Sequence, residues 1–178
     1  RLSLVMAAFG SCIAAVATDF PEPHNSEPVE QGEPSAPEEA VKMIGLPDGF
    51  RATVFAAEPA VRNPIAMAWD WRGRMWVAEN YTYAERATRF DLSLRDRILV
   101  FTDEDWDGVA DQRAVFADDL QFLTSVEVGE GGVWAMCPPQ LLFLPDRDGN
   151  GKVDGPADVA LDGFTVAESN YHNFAKRI

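Results

Sequence analysis

Apolar and polar positions follow three successive rhythms along the chain. Leu2 to Ala17 is apolar or small throughout, with no charged residue. Thr18 to Ala40 carries five prolines and seven acidic residues, with no lysine or arginine. From Phe50 onward the apolar residues come in short runs, each bounded by Gly, Pro or Asp. Such runs predict strands rather than helices, because side chains on a strand alternate between two faces. Strands are predicted at Phe50 to Ala56, Ile65 to Trp69, Met75 to Ala78 and Arg97 to Thr102. Asp70-Trp71-Arg72-Gly73-Arg74 reads as a turn closing a hairpin, with Gly73 at the tight position. The one predicted helix is short. Ser35-Ala36-Pro37-Glu38 has the form of a capping box, and Gly45 stops the helix just past Met43.

The first two rhythms describe processing and a linker, not a core. A run of about sixteen apolar residues ending in Ala15-Val16-Ala17 has the form of a secretory signal peptide, residues 1–17. Export to the periplasm or the extracellular space follows as an expectation, with no membrane span left after cleavage. A lipoprotein attached through Cys12, in Phe9-Gly10-Ser11-Cys12, is the weaker alternative. Residues 18–40 form a disordered acidic linker, since so little apolar surface cannot offset the entropy of ordering. Residues 41–178 then make an all-β domain.

That domain repeats itself. Gly73-Arg74-Met75-Trp76-Val77-Ala78 matches Gly131-Gly132-Val133-Trp134-Ala135-Met136. Ile98-Leu99-Val100-Phe101-Thr102-Asp103 matches Leu141-Leu142-Phe143-Leu144-Pro145-Asp146. The first unit differs by a longer inner loop, around Glu79 to Arg95. A period of roughly 40 to 45 residues of short strands is that of a propeller blade. Two similar hairpins in a sandwich are the other arrangement that fits. Two blades cannot close a ring, so the chain reads as the N-terminal piece of a larger propeller whose remainder is its partner.

Charge and motifs narrow the chemistry. The net charge is -14, which excludes nucleic acid as a partner, because phosphate binding needs a basic face. After signal cleavage Cys137 is the one cysteine left, so no internal disulfide forms. Two loops share the pattern D-x-D-x-[DN]-G-x-x-D. One holds Asp103, Asp105, Asp107 and Asp111; the other holds Asp146, Asp148, Asn150 and Asp154. Alternating oxygen side chains around a glycine turn can wrap calcium. Position twelve is Ala114 or Ala157 rather than a bidentate Glu, so these are not EF-hands. The same residues also favour solvated turns. His172, in Asn170-Tyr171-His172-Asn173-Phe174, is a candidate general base. Glu79 to Glu85 reads either as the polar wall of a ligand funnel or as a packed loop.

A family resemblance runs through these motifs. Leu46-Pro47-Asp48-Gly49-Phe50, Phe55-Ala56-Ala57-Glu58-Pro59, Asn63-Pro64-Ile65-Ala66-Met67 and Gly73 to Glu79 come in order, then Asp146-Arg147-Asp148-Gly149 and Tyr171 to Ala175. This resembles the N-terminal part of the PVC-type membrane-bound dehydrogenases, which are related to soluble quinoprotein glucose/sorbosone dehydrogenases. The resemblance implies a six-bladed β-propeller, of which this chain supplies about two to three blades. It implies oxidation of an alcohol or sugar hydroxyl with pyrroloquinoline quinone (PQQ), His172 being the base and the quinone site lying mostly outside this chain. It also implies a haem c domain further along the full protein. Where that family continues into a Gly-containing motif, this chain reads Lys176-Arg177-Ile178. The alternative function is a non-catalytic, calcium-stiffened propeller that binds carbohydrate or protein.

Overall fold

Alternation that persists for only five to nine residues gives short strands, and the described residues contain eight of them. The structure is a computed structural model that describes residues 35–83 and 89–165. The strands are β1 (Pro64–Trp69), β2 (Met75–Glu79), β3 (Asp96–Thr102), β4 (Gln112–Leu120), β5 (Ser125–Gly129), β6 (Gly132–Cys137), β7 (Gln140–Pro145) and β8 (Asp158–Asp162). They form two four-stranded antiparallel meanders, β1-β2-β3-β4 and β5-β6-β7-β8. The all-β expectation holds. Among the described residues, no helix is long and apolar enough to cross a membrane.

The repeat is one of register as well as sequence. Trp76 pairs with Val100 in the first sheet, and Trp134 with Phe143 in the second. Ala78 pairs with Ile98, as Met136 pairs with Leu141. Even the irregularity recurs. The third and fourth strands slip between Ile98 and Leu99 in one sheet and between Leu141 and Leu142 in the other. A bulge leaves one residue unpaired and bends the strand, so both sheets curve at the same place.

The faces that meet are not equivalent. Trp76, Ala78, Ile98 and Val100 of the first sheet share one core with Val126, Val133, Ala135 and Leu144 of the second. Val133 and Ala135 correspond to Met75 and Val77, which lie on the opposite face of the first sheet. That opposite face carries a smaller core of Val77, Leu99 and Phe101, covered by Phe55, Ala56 and Val61. The sheets therefore stack head to tail. Trp76 is sealed between them, edge-on to Phe116 at 5.0 Å. Its counterpart Trp134 turns to the outer face of the second sheet, against Phe143 at 4.8 Å.

Two sequence expectations need correction. Phe50 to Ala56 is not a strand. It is an extended arm, because the β3–β4 loop rather than a strand lies beside it. Ala110 donates its N–H to the Phe55 carbonyl at 2.9 Å, and Thr53 Oγ1 donates to the Gly108 carbonyl at 2.9 Å. Its packing does not alternate: the neighbours Phe55 and Ala56 both lie on the core of Val77, Leu99 and Phe101, with Phe55 edge-on to Phe101 at 6.4 Å, while Phe50 is exposed. The helix α1 (Pro37–Lys42) begins one residue later than a capping box at Ser35 requires. Ala36 is the N-cap and makes no side-chain bond, while Pro37 takes the first-turn site where its missing N–H costs nothing.

Candidate metal centre

Both Asp-rich segments are loops between the third and fourth strands of their sheets. Antiparallel strands need a tight return, and Gly108 and Gly151 supply it with φ of +91° and +80°. A side chain at Gly108 would be strained, since φ is +91° and a Cβ would stand 2.7 Å from Thr53 Oγ1. The carboxylates then fold the loops by capping backbone N–H groups. Asp103 Oδ2 accepts from Gly108 N at 2.9 Å, as Asp146 Oδ2 accepts from Gly151 N at 3.0 Å. Asp111 accepts from Glu104 N, and Asp154 from Arg147 N, both at 2.7 Å. Asp105 accepts from Asp107 N at 3.2 Å, Asp148 from Asn150 N at 3.1 Å. The turn reading of these residues is thus satisfied in both loops.

The loops differ at one oxygen. In the second, Asp146 Oδ1 accepts from Asn150 N at 2.9 Å, so both oxygens of this buried carboxylate are used. In the first, Asp103 Oδ1 is buried with no hydrogen-bond partner. Oxygens of Asp103, Asp105 and Asp111 lie within 4.8 Å of one another. Unshielded carboxylates at that spacing repel, and an oxygen buried without a partner costs about 1–3 kcal/mol or more. A hard cation relieves both, because calcium prefers six to eight oxygen ligands, carboxylates foremost. The first loop fits such an ion. In the second, the carboxylates are not gathered in this way, and each Asp146 oxygen already accepts an N–H. Of the eight residues expected to bind metal, three come together. Asp107 instead caps Val109 N at 2.8 Å, and Asn150 caps Lys152 N at 2.8 Å. His172 lies outside the described residues.

At the other end of the sheets, Glu79, Asn80, Thr82 and Asp96 are buried. This is the packed loop, not the funnel wall, as far as Tyr83; Glu85 lies outside the described residues. Asp96 Oδ1 accepts from the N–H groups of Tyr81 and Thr82, both at 2.7 Å. Asp96 Oδ2 accepts from Thr82 Oγ1 at 2.7 Å and from Leu123 N at 2.8 Å. Asn80 Nδ2 donates to the Leu123 carbonyl at 2.7 Å. Glu79 pairs with Arg97, whose guanidinium that hydrogen bond holds further above its ordinary pKa despite burial. The network pins the first sheet to the strand that opens the second. In the second unit Cys137-Pro138-Pro139-Gln140 stands in its place. Burial, with Asp96 nearby, pushes the Cys137 thiol up to about 12, which removes it as a nucleophile.

The Asp70 turn forms where the sequence places it, and its carboxylate has a role that the pattern did not assign. Burial raises its carboxyl, but hydrogen bonds from Trp76 Nε1 at 3.1 Å and Arg74 Nε at 2.6 Å outweigh it, so the pKa falls below 3.8. Asp two residues before Arg72, whose N–H it accepts at 2.9 Å, is the usual signature of a side-chain-closed turn.

The family described as Domain of unknown function (DUF7133) matches residues 36–177 of the chain. No curated protein matches, and no solved structure does.

Proposed function

The chain belongs to the family of domains of unknown function DUF7133, and from that premise we propose that it forms consecutive blades of a β-propeller scaffold, stiffened by calcium in the Asp103 loop. The head-to-tail packing of two sheets in the same register carries this reading. A sandwich with internal two-fold symmetry brings equivalent faces together. A heterologous contact repeats, and closes into a ring when its rotation permits. The orphaned oxygen of Asp103 supports the calcium. Trp106 sits in that loop, beside Asp105, and provides a direct assay. Terbium replaces calcium, and excitation of the indole lights its emission. We expect saturable sensitised emission from one site, displaced by calcium and abolished by Asp103→Asn. Calcium at about a hundred times its Kd should raise stability by roughly 2.7 kcal/mol. Equal loss from Asp146→Asn, or no calcium effect on unfolding, sinks the calcium reading.

A second reading rests on motif order through Tyr171-His172-Asn173-Phe174. It makes the longer exported protein a quinoprotein-type dehydrogenase acting on an alcohol or sugar hydroxyl, with His172 taking the hydroxyl proton. Dye reduction by that protein supplied with PQQ, with and without His172→Ala, tests it. Activity unchanged in the variant rejects His172 as the base.

A further inference from the structure

Four of the five tryptophans gather around the β1–β2 hairpin. Trp76 lies buried beneath it, while Trp69, Trp71 and Trp106 are 59%, 87% and 72% exposed. Trp106 reaches the hairpin from the Asp103 loop, and a Cβ at Gly73 would stand 2.6 Å from its ring. Three large indoles left in water, two on the hairpin and one reaching it from the Asp103 loop, form the kind of patch that marks a binding surface. Beside them runs a groove of about 350 Å³, between this hairpin, the β5–β6 hairpin and the start of the Asp146 loop. Its size falls in the range of small-molecule sites, roughly 300–1,000 Å³.

The chemistry of the walls selects the ligand. The apolar part is mainly indole; the aliphatic lining is Val128 and the stems of longer side chains. Donors and acceptors stand close by on Glu130, Arg147 and Asp148. The other two arginines are committed. Arg74 is paired with Asp70 at 2.6 Å. Arg72 donates to the Gly149 carbonyl at 2.6 Å and lies over one face of Trp71, 4.8 Å from its centroid. A cationic ligand on Trp71 would meet the charge of Arg72. An anionic ligand would meet two committed guanidiniums, the carboxylates of Glu130 and Asp148 beside the remaining Arg147, and a chain of net charge -14. A neutral ring with an apolar face and hydroxyl edges meets neither penalty. We propose that this groove binds a neutral carbohydrate chain, with the exposed face of Trp71 as its stacking platform. The proposal rests on neither calcium nor a closed propeller.

The test is calorimetric and fluorescence titration of the full chain, in EDTA, with neutral hexasaccharides of glucose, xylose and mannose. Working in EDTA keeps the result separate from the calcium reading. We expect at least one to bind with a shift in tryptophan emission. Trp71→Ala should weaken binding by about tenfold or more. Its unfolding midpoint should not move, because the side chain is so exposed. Three results each overturn the proposal: no binding at millimolar sugar, equal binding by Trp71→Ala, or preference for an acidic galacturonate hexamer.

Discussion

Asp96 shows how much one side chain can organise. It is fully buried and its two oxygens accept four hydrogen bonds, from both sides of the inter-sheet contact. Removing it strands those donors, so Asp96→Ala should cost about 3 kcal/mol or more in urea unfolding. A loss under 1 kcal/mol would mean that water replaces the carboxylate. Cys137 gives a second residue-scale test. Its thiol is near 9.0 when unfolded and is raised to about 12 in the fold. The folded state therefore favours the protonated form. The stability this lends is complete below pH 9 and is lost as pH rises from 9 toward 12. Cys137→Ala should flatten that alkaline decline, and a thiol reagent should label Cys137 only as fast as the fold opens. Neither role was legible in the sequence. Asp96 reads there as one more acid at a strand start, and Cys137 as a lone thiol near prolines. Both depend on what the fold brings beside them.

At the scale of elements, turn chemistry was the most legible part. Both hairpin turns lie where the glycines put them, with Glu130 and Gly131 at φ of +55° and +78°. The glycines around that second turn differ in a way that spacing does not reveal. A Cβ at Gly132 would lie 2.4 Å from the Leu144 carbonyl oxygen and 2.6 Å from the Phe143 ring, whereas at Gly129 nothing stands within 4 Å. Gly132→Ala should therefore cost about 1–3 kcal/mol, by forcing β6 from β7. Gly129→Ala should be close to neutral. Equal effects would contradict the β6–β7 geometry. The Phe50 to Ala56 arm marks the opposite limit. Alternation reports that one side is buried, not that a strand lies alongside. Here not even that holds: Phe50 is exposed, the adjacent Phe55 and Ala56 both pack on the face of the first sheet, and the arm's hydrogen bonds go to a loop. The two Asp-rich loops teach a related lesson. Their shared pattern fixed the same capping bonds in both, but the free oxygen of Asp103 depends on whether the N–H four residues on turns toward it.

For the whole molecule, the sequence repeat anticipated which strands correspond, and the fold adds the matching register, Trp76 with Val100 and Trp134 with Phe143. It did not show which faces meet, because each sheet has apolar residues on both. The outer face of the second sheet carries Trp134 and Phe143, with Leu161 exposed on the edge strand. By the logic of the first interface, this face accepts a further sheet. The chain alone should therefore self-associate with rising concentration. Trp134→Ser combined with Phe143→Ser should suppress that in sedimentation, while shifting the unfolding midpoint by no more than a few degrees. Unchanged association would place the sticky surface elsewhere. Head-to-tail stacking also has an evolutionary consequence. Each sheet offers a donor face and an acceptor face, so a tandem copy of one coding segment inherits both halves of a working interface. Adding a unit then requires no new recognition surface, and the number of units is set by the angle between neighbours rather than by new chemistry.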